Sequence, residues 1–145
     1  MDIVIDDLKF EEIDEVYSLT KEVFNESYNL SDIKKLYERI CNDKNHYRFL
    51  VAKDGDKIVG YTSCSMAYNL FDGSQAFMTL WWVCTHPDYR RKGIATKLLK
   101  KAEDIAKENN CSMICFFSED FRTDAHLFYI KNGYMMNSKG FMKFI

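Results

Sequence analysis

The sequence predicts an α/β chain (α+β by some schemes) with a single mixed, mostly antiparallel sheet flanked by helices on both faces. Three observations lead there. Strand-like runs at 47–53, 57–66 and 75–85 follow one another without a helix between them, so a uniform βα alternation is excluded. The last of these is apolar almost throughout, with Phe77, Leu80, Trp81, Trp82 and Val83, as expected of a central strand buried on both sides. A basic turn then opens a strongly amphipathic helix at 93–109, where Ile94, Ala95, Leu98, Leu99, Ala102, Ile105 and Ala106 share one face.

The remaining elements follow in order. Ile3, Val4 and Ile5 start a short strand, followed by Asp6-Asp7. Residues 11–25 read as a helix, with Ile13, Val16, Tyr17, Val23 and Phe24 forming much of its apolar face. Ser31 is the expected N-cap of a second helix reaching about residue 40, with Leu36, Tyr37 and Ile40 on its buried side. Asp54-Gly55-Asp56 is hairpin turn chemistry, and Asp72-Gly73-Ser74 marks a further turn. Residues 111–117 form a second central-strand candidate. Asp124 starts a short helix through Lys131, ended by Asn132-Gly133, both of which tolerate a left-handed C-cap. Residues 134–136 and 140–145 are expected to pair as closing strands, giving the order β-α-α-β-β-β-α-β-α-β-β.

A chain of 145 residues, 47% hydrophobic and 29% charged, fits one globular domain over 1–145. The net charge of −2 argues against a general nucleic-acid surface, while leaving room for a local basic pocket. The five cysteines (Cys41, Cys64, Cys84, Cys111 and Cys115) are odd in number and contain no CxxC, so no disulfide framework or metal site is indicated. The acidic N-terminus lacks a signal-peptide core and no apolar run is of membrane-spanning length. A cytoplasmic protein that neither enters a membrane nor binds nucleic acid is the expectation.

The basic turn carries the chemistry. Arg90, Arg91 and Lys92 precede Gly93 at the start of a helix whose far end holds Glu103, Asp104 and Glu108. Cations at a helix N-terminus cost about 0.3–1 kcal/mol each when exposed. A bound polyanion reverses that sign, because the free backbone N–H groups and the helix dipole both favour phosphate there. A solvated basic loop is the alternative. Gly93-Ile94-Ala95-Thr96-Lys97 lacks the Gly-Lys-[Ser/Thr] ending of a nucleoside-triphosphate loop, and the glycine spacing of a dinucleotide fold is absent.

Arg90-Arg91-Lys92-Gly93-Ile94-Ala95 matches the pattern [QR]-x-x-G-x-[GA], and residues 125–134 match A-x-x-x-Y-x-x-x-G-[FY] through Ala125, Tyr129, Gly133 and Tyr134. These motifs and the order of elements resemble the GNAT superfamily of acyl-CoA-dependent N-acetyltransferases. The resemblance implies acetyl-CoA as co-substrate. It implies that the backbone of Val83, Cys84 and Thr85 pairs with the pantetheine arm. The N–H groups from Arg91 to Ala95 would cradle the pyrophosphate, with Thr96 in the same helical turn and Arg90, Arg91 and Lys92 adding charge. It also makes Tyr129 the proton donor to the leaving thiolate, against a packing role among Leu127, Phe128 and Ile130.

The acceptor implied is a primary amine of a small molecule or peptide, attacked directly. Many relatives carry a carboxylate base in the strand before the phosphate loop, and 75–85 has none. Asp72, Glu119, Asp120, His126 and ordered water stay open as alternatives. Arg122 either reaches the cofactor or is solvated, and His86 beside Pro87 reads as structural. Cys84 reads as a small strand residue rather than an acyl acceptor. Trp81 and Trp82 are expected on opposite faces, one in the core and one toward the acceptor. Loops at 25–31 and 70–74 are expected to frame the acceptor site, where Tyr28, Tyr68 and Phe71 either line a pocket or pack. The resemblance leaves a homodimer open. Two other readings stand beside the enzyme: a non-catalytic acyl-CoA-binding or regulatory domain, and an α/β binding protein with a coincidental basic turn.

Overall fold

A computed structural model describes residues 1–145, which divide into two compact units, 1–115 and 116–145. The first unit contains β1 (Ile3–Asp7), α1 (Ile13–Phe24), α2 (Leu30–Ile40), β2 (Tyr47–Asp54), β3 (Lys57–Tyr68), β4 (Ala76–Thr85), α3 (Ile94–Glu108) and β5 (Cys111–Cys115). The sheet order is β1-β2-β3-β4-β5, with antiparallel neighbours throughout except for the parallel β4–β5 pair. This is the mixed, mostly antiparallel sheet with flanking helices that the pattern of runs predicts.

Adjacent residues of β3 show how the helices divide between the two faces. Tyr61 belongs to a buried cluster with Ile13, Val16 and Leu19 of α1. Its neighbour Gly60 faces α3 instead: a Cβ at Gly60 would sit 3.0 Å from Ile94 Cγ2 and 3.2 Å from Leu98 Cδ1. On the α3 side Leu98, Leu99, Ala102 and Ile105 are buried. Burial of each large aliphatic side chain is worth about 1.5–3 kcal/mol. The absent side chain at Gly60 lets α3 lie close on β3. Gly60→Ala is expected to destabilise the fold by about 1–3 kcal/mol through overpacking. A lower urea midpoint at unchanged m-value would show it.

Several boundaries differ from the sequence expectation. Asn29, not Ser31, caps α2: its Oδ1 accepts the Asp32 N–H at 3.1 Å, placing Ser31 inside the first turn. β1 runs on through Asp7 because Arg48 on β2 grips the Asp7 carboxylate with two bonds of 3.0 and 3.1 Å. α1 starts at Ile13 after a 3-10 turn at Phe10–Glu12, and β5 stops at Cys115 rather than 117.

The second unit holds α4 (Thr123–Lys131). Its end is a Schellman closure, in which Tyr134 N–H donates to the Tyr129 carbonyl at 3.1 Å and Gly133 N–H to the Ile130 carbonyl at 3.0 Å. Around it the Tyr129 ring meets Phe116, Phe128 and Tyr134 at centroid separations of 4.6, 5.3 and 6.1 Å. The expected closing strands at 134–136 and 140–145 do not form; the segment is irregular. Apolar periodicity does not supply a ladder partner. At Gly140 the backbone instead lies so close to the Phe117 ring that a Cβ would be 2.6 Å from its Cε1.

Candidate functional site

The centre of β4 is bulged. Tyr61 pairs with Cys84 and Ser63 with Trp81, so Trp82 and Val83 together oppose Thr62 alone. Trp82 takes a left-handed backbone, φ 58°, which costs a non-glycine residue about 1–2 kcal/mol. The buried Thr62 hydroxyl donates to the Trp81 carbonyl at 3.1 Å and satisfies it. Edge-on contacts from Phe24 (5.1 Å between centroids) and Tyr28 (5.6 Å) hold the Trp82 ring. Aromatic pairs of this kind contribute about 0.5–1.5 kcal/mol each, enough to offset the backbone strain.

The bulge corrects the expected alternation. Trp81 and Trp82 do not separate to opposite faces; both line the same cavity. The far side of the strand also opens here. β4 pairs with β5 only through Ala76, Met78 and Thr79, and from Leu80 to Thr85 its ladder partner is β3 alone. The sheet therefore offers unladdered backbone groups around Val83, Cys84 and Thr85, and the Thr85 Oγ1 is buried without a hydrogen-bond partner.

This strand runs into the basic turn. His86 caps a 3-10 turn, Pro87–Tyr89, by accepting the Asp88 N–H at Nδ1 (3.2 Å), as its structural reading requires. Tyr89 donates to Asp54 at 2.9 Å, and Lys57 and Lys92 lie over its ring at 5.2 and 4.9 Å. Arg91 (φ 60°) and Gly93 (φ 77°) are both left-handed, and the turn delivers the chain to α3 with Gly93 as N-cap. No side chain caps α3 and no acidic residue stands in its first turn. The N–H groups of Ile94, Ala95 and Thr96 are thus free of a capping side chain. Intrahelical bonding starts with Lys97 N–H to the Gly93 carbonyl at 3.0 Å. A Cβ at Gly93 would meet nothing within 4 Å, so the approach to these donors is open. Such a terminus fits a phosphate.

Burial keeps the thiol of Cys84 protonated, pushed up to about 12, although the Tyr61 backbone and the Arg90 charge pull the other way. Burial raises the Tyr61 phenol as well. A thiol of that kind is a poor nucleophile at neutral pH. Incubation with acetyl-CoA, the co-substrate the resemblance implies, is therefore expected to leave the protein mass unchanged when no amine is present, with no acetyl adduct in the intact-protein mass spectrum.

On the α1 face lies a cavity of about 540 Å³. Val16, Tyr17 and Thr20 of α1 form one wall, and Asp32, Ile33, Leu36 and Tyr37 of α2 another. Phe49, Tyr61, Ser63, Trp81 and Trp82 form the sheet floor, and Glu26, Tyr28 and Asn29 come from the α1–α2 connection. That connection is tied down: Asn25 ends α1 in a left-handed cap, and the Tyr17 hydroxyl donates to the Tyr28 carbonyl at 2.8 Å. Tyr28 in turn donates to the Glu26 carboxylate at 2.6 Å.

Of the expected framing residues, Tyr28 lines this cavity. Tyr68 and Phe71 do not, and are 64% and 93% exposed. Glu26 and Asn29 lie in the expected framing segment 25–31, while Asp32, Tyr61 and Ser63 were not legible as site residues, since nothing but the folded packing of α1 and α2 on the sheet gathers them. β4 carries no carboxylate, as its sequence requires. Asp72 is exposed on a 3-10 turn, Leu70–Asp72. Tyr129, Arg122, His126, Glu119 and Asp120 belong to the second unit, where Arg122 stacks on the Phe121 ring at 5.3 Å.

The sheet opens beside a bulged central strand, and an uncapped helix start follows at the strand's end, the arrangement that the resemblance implies. The profile of the Acetyltransferase (GNAT) family matches residues 13–134, and the chain belongs to that family. It is similar to aminoalkylphosphonate N-acetyltransferase of Salmonella typhimurium, 27% identical over 139 residues that cover 92% of this chain and 85% of the relative. Two solved structures share the fold. A transcriptional regulator from Bacillus halodurans C-125 superposes with a TM-score of 0.89 at 24% identity, covering 99% of this chain and all of the other. Glucosamine-6-phosphate N-acetyltransferase from Arabidopsis thaliana does so with 0.85 at 14%, covering 99% of each.

Proposed function

We propose that this acetyltransferase moves an acetyl group from acetyl-CoA to a primary amine of a small molecule or peptide by direct attack. One observation carries the reading: the unladdered stretch of β4 is joined through the basic turn to the uncapped start of α3. The backbone of Val83, Cys84 and Thr85 would hold the pantetheine arm as an added strand. Donors from Arg91 to Thr96 would hold the pyrophosphate, with Arg90, Arg91 and Lys92 steering it in. The Salmonella relative's name gives an amine-bearing acceptor, which supports the same acceptor group here.

Acetyl-CoA supplies an activated thioester. The N–C bond forms as the C–S bond breaks; the amine loses a proton and the thiolate gains one. An alkyl amine of pKa about 10.4 is free base in roughly one molecule in a thousand at pH 7, a penalty of about 4–5 kcal/mol. A base or a water path must remove that proton. A backbone N–H near Cys84 would donate to the carbonyl oxygen as charge builds on it. Tyr129, at the family's tyrosine position, is the proposed proton donor to sulfur.

Calorimetry with acetyl-CoA, followed by thiol release across an amine panel, tests the reading. Saturable binding with amine-dependent release is the expected result. Binding without turnover on any amine would make the chain a non-catalytic acyl-CoA sensor.

A further inference from the structure

We infer that the cavity on the α1 face admits a primary amine carried on an aromatic or branched apolar body and rejects amines that bear an anionic group. The inference rests on the reading of the chain as an amine acetyltransferase and names the acceptor class of that site. Three observations carry it.

The first is charge. Glu26 and Asp32 line the cavity, and no Lys, Arg or His does. Neither carboxylate takes part in an ion pair. Lys35 and Arg39 line an adjoining depression that shares Asp32 and Leu36 with the cavity, and neither lines the cavity itself. An ammonium entering the cavity finds two complementary charges, and a phosphonate or carboxylate finds two like ones and no cation in the lining.

The second is the wall. Tyr28, Tyr37, Phe49, Tyr61, Trp81 and Trp82 surround the space. Their rings favour a cation at a face and an apolar body at an edge. The Trp82 ring is held between Phe24 and Tyr28, so it is pre-positioned rather than adaptable.

The third is size and place. A space of about 540 Å³ is that of a drug-sized ligand, and a short aminoalkyl chain would leave most of it unfilled. Its floor includes the bulge residues Trp81 and Trp82, directly before Val83 and Cys84, so an amine reaching that end meets the strand proposed to hold the thioester.

The test uses the full chain with 2-phenylethylamine, 2-aminoethylphosphonate and β-alanine. Tryptophan fluorescence reads binding, and thiol release from acetyl-CoA reads transfer. The aromatic amine is expected to quench fluorescence and to be acetylated with kcat/KM roughly a hundredfold above either anionic amine. Leu36→Arg, on the exposed rim of the cavity, adds the missing cation and is expected to narrow that gap about tenfold. Glu26→Gln is expected to raise KM for the aromatic amine about threefold with little change in kcat, the size of an exposed charge pair. Equal or better turnover of the anionic amines overturns the inference and leaves the transferase reading intact. Binding of the aromatic amine with no transfer to any amine overturns the transferase reading and leaves the ligand class. Absence of both binding and transfer overturns both.

Discussion

Gly93→Asp is expected to leave the protein folded and to remove acetyl-CoA binding, lowering affinity by at least about a hundredfold, or roughly 2.7 kcal/mol. The two halves of this result have separate causes. Gly93 is left-handed at φ 77°, and a Cβ there touches nothing within 4 Å. A side chain is strained at this φ, but Asp is among the residues enriched there, so the strain is smaller than for most. Its negative charge at the start of α3 also complements the helix dipole, where Arg90, Arg91 and Lys92 now stand. Thermal stability without ligand should therefore move little, by less than about 1 kcal/mol. For a pyrophosphate the same carboxylate is a like charge at the point of closest backbone approach, competing for the Ile94, Ala95 and Thr96 donors. Calorimetry with acetyl-CoA, set beside a melting curve of the ligand-free variant, reads both halves. A variant that binds acetyl-CoA normally would move the anion site away from α3.

The uncapped start of α3 was readable from sequence, and the lining of the α1-face cavity was not. Arg90 to Ala95 are contiguous, and their chemistry depends on a local event, the start of one amphipathic helix. The pattern that predicts α3 also predicts where its free N–H groups lie. The cavity draws on α1, α2 and three strands, with Glu26, Asp32, Tyr61 and Trp81 spread over 56 residues of chain. No local spacing links them. Period-two reasoning failed at Trp82 for a related reason. Its left-handed φ is a tertiary choice, stabilised by Phe24, Tyr28 and the Thr62–Trp81 bond, and no residue of β4 announces it. The C-terminal strands failed differently. Their apolar pattern was real, but a strand is defined by its partner, and residues 134–145 have no ladder.

Tyr129→Phe is expected to lower kcat about a hundredfold, the lower range for loss of a positioned acid, while KM for acetyl-CoA stays within a factor of two. The substitution keeps the ring and the backbone of α4. The ring packs against Phe116, Phe128 and Tyr134, and the Tyr129 carbonyl closes the Schellman bond with Tyr134, so a phenyl ring preserves both. Only the O–H is removed. Transfer from a phenol of pKa about 10 to a thiolate whose conjugate acid is near 8.5 is uphill by about 2 kcal/mol. Bond formation to the departing sulfur must therefore be concerted with C–S cleavage for the phenol to help. That requirement gives a sharper readout than the rate alone. Wild-type kcat should fall at alkaline pH as the phenol ionises, and the variant should lack that limb, its residual rate rising with the free-amine fraction instead. A variant with an unchanged alkaline limb and full turnover would return Tyr129 to a packing role and pass the proton to water.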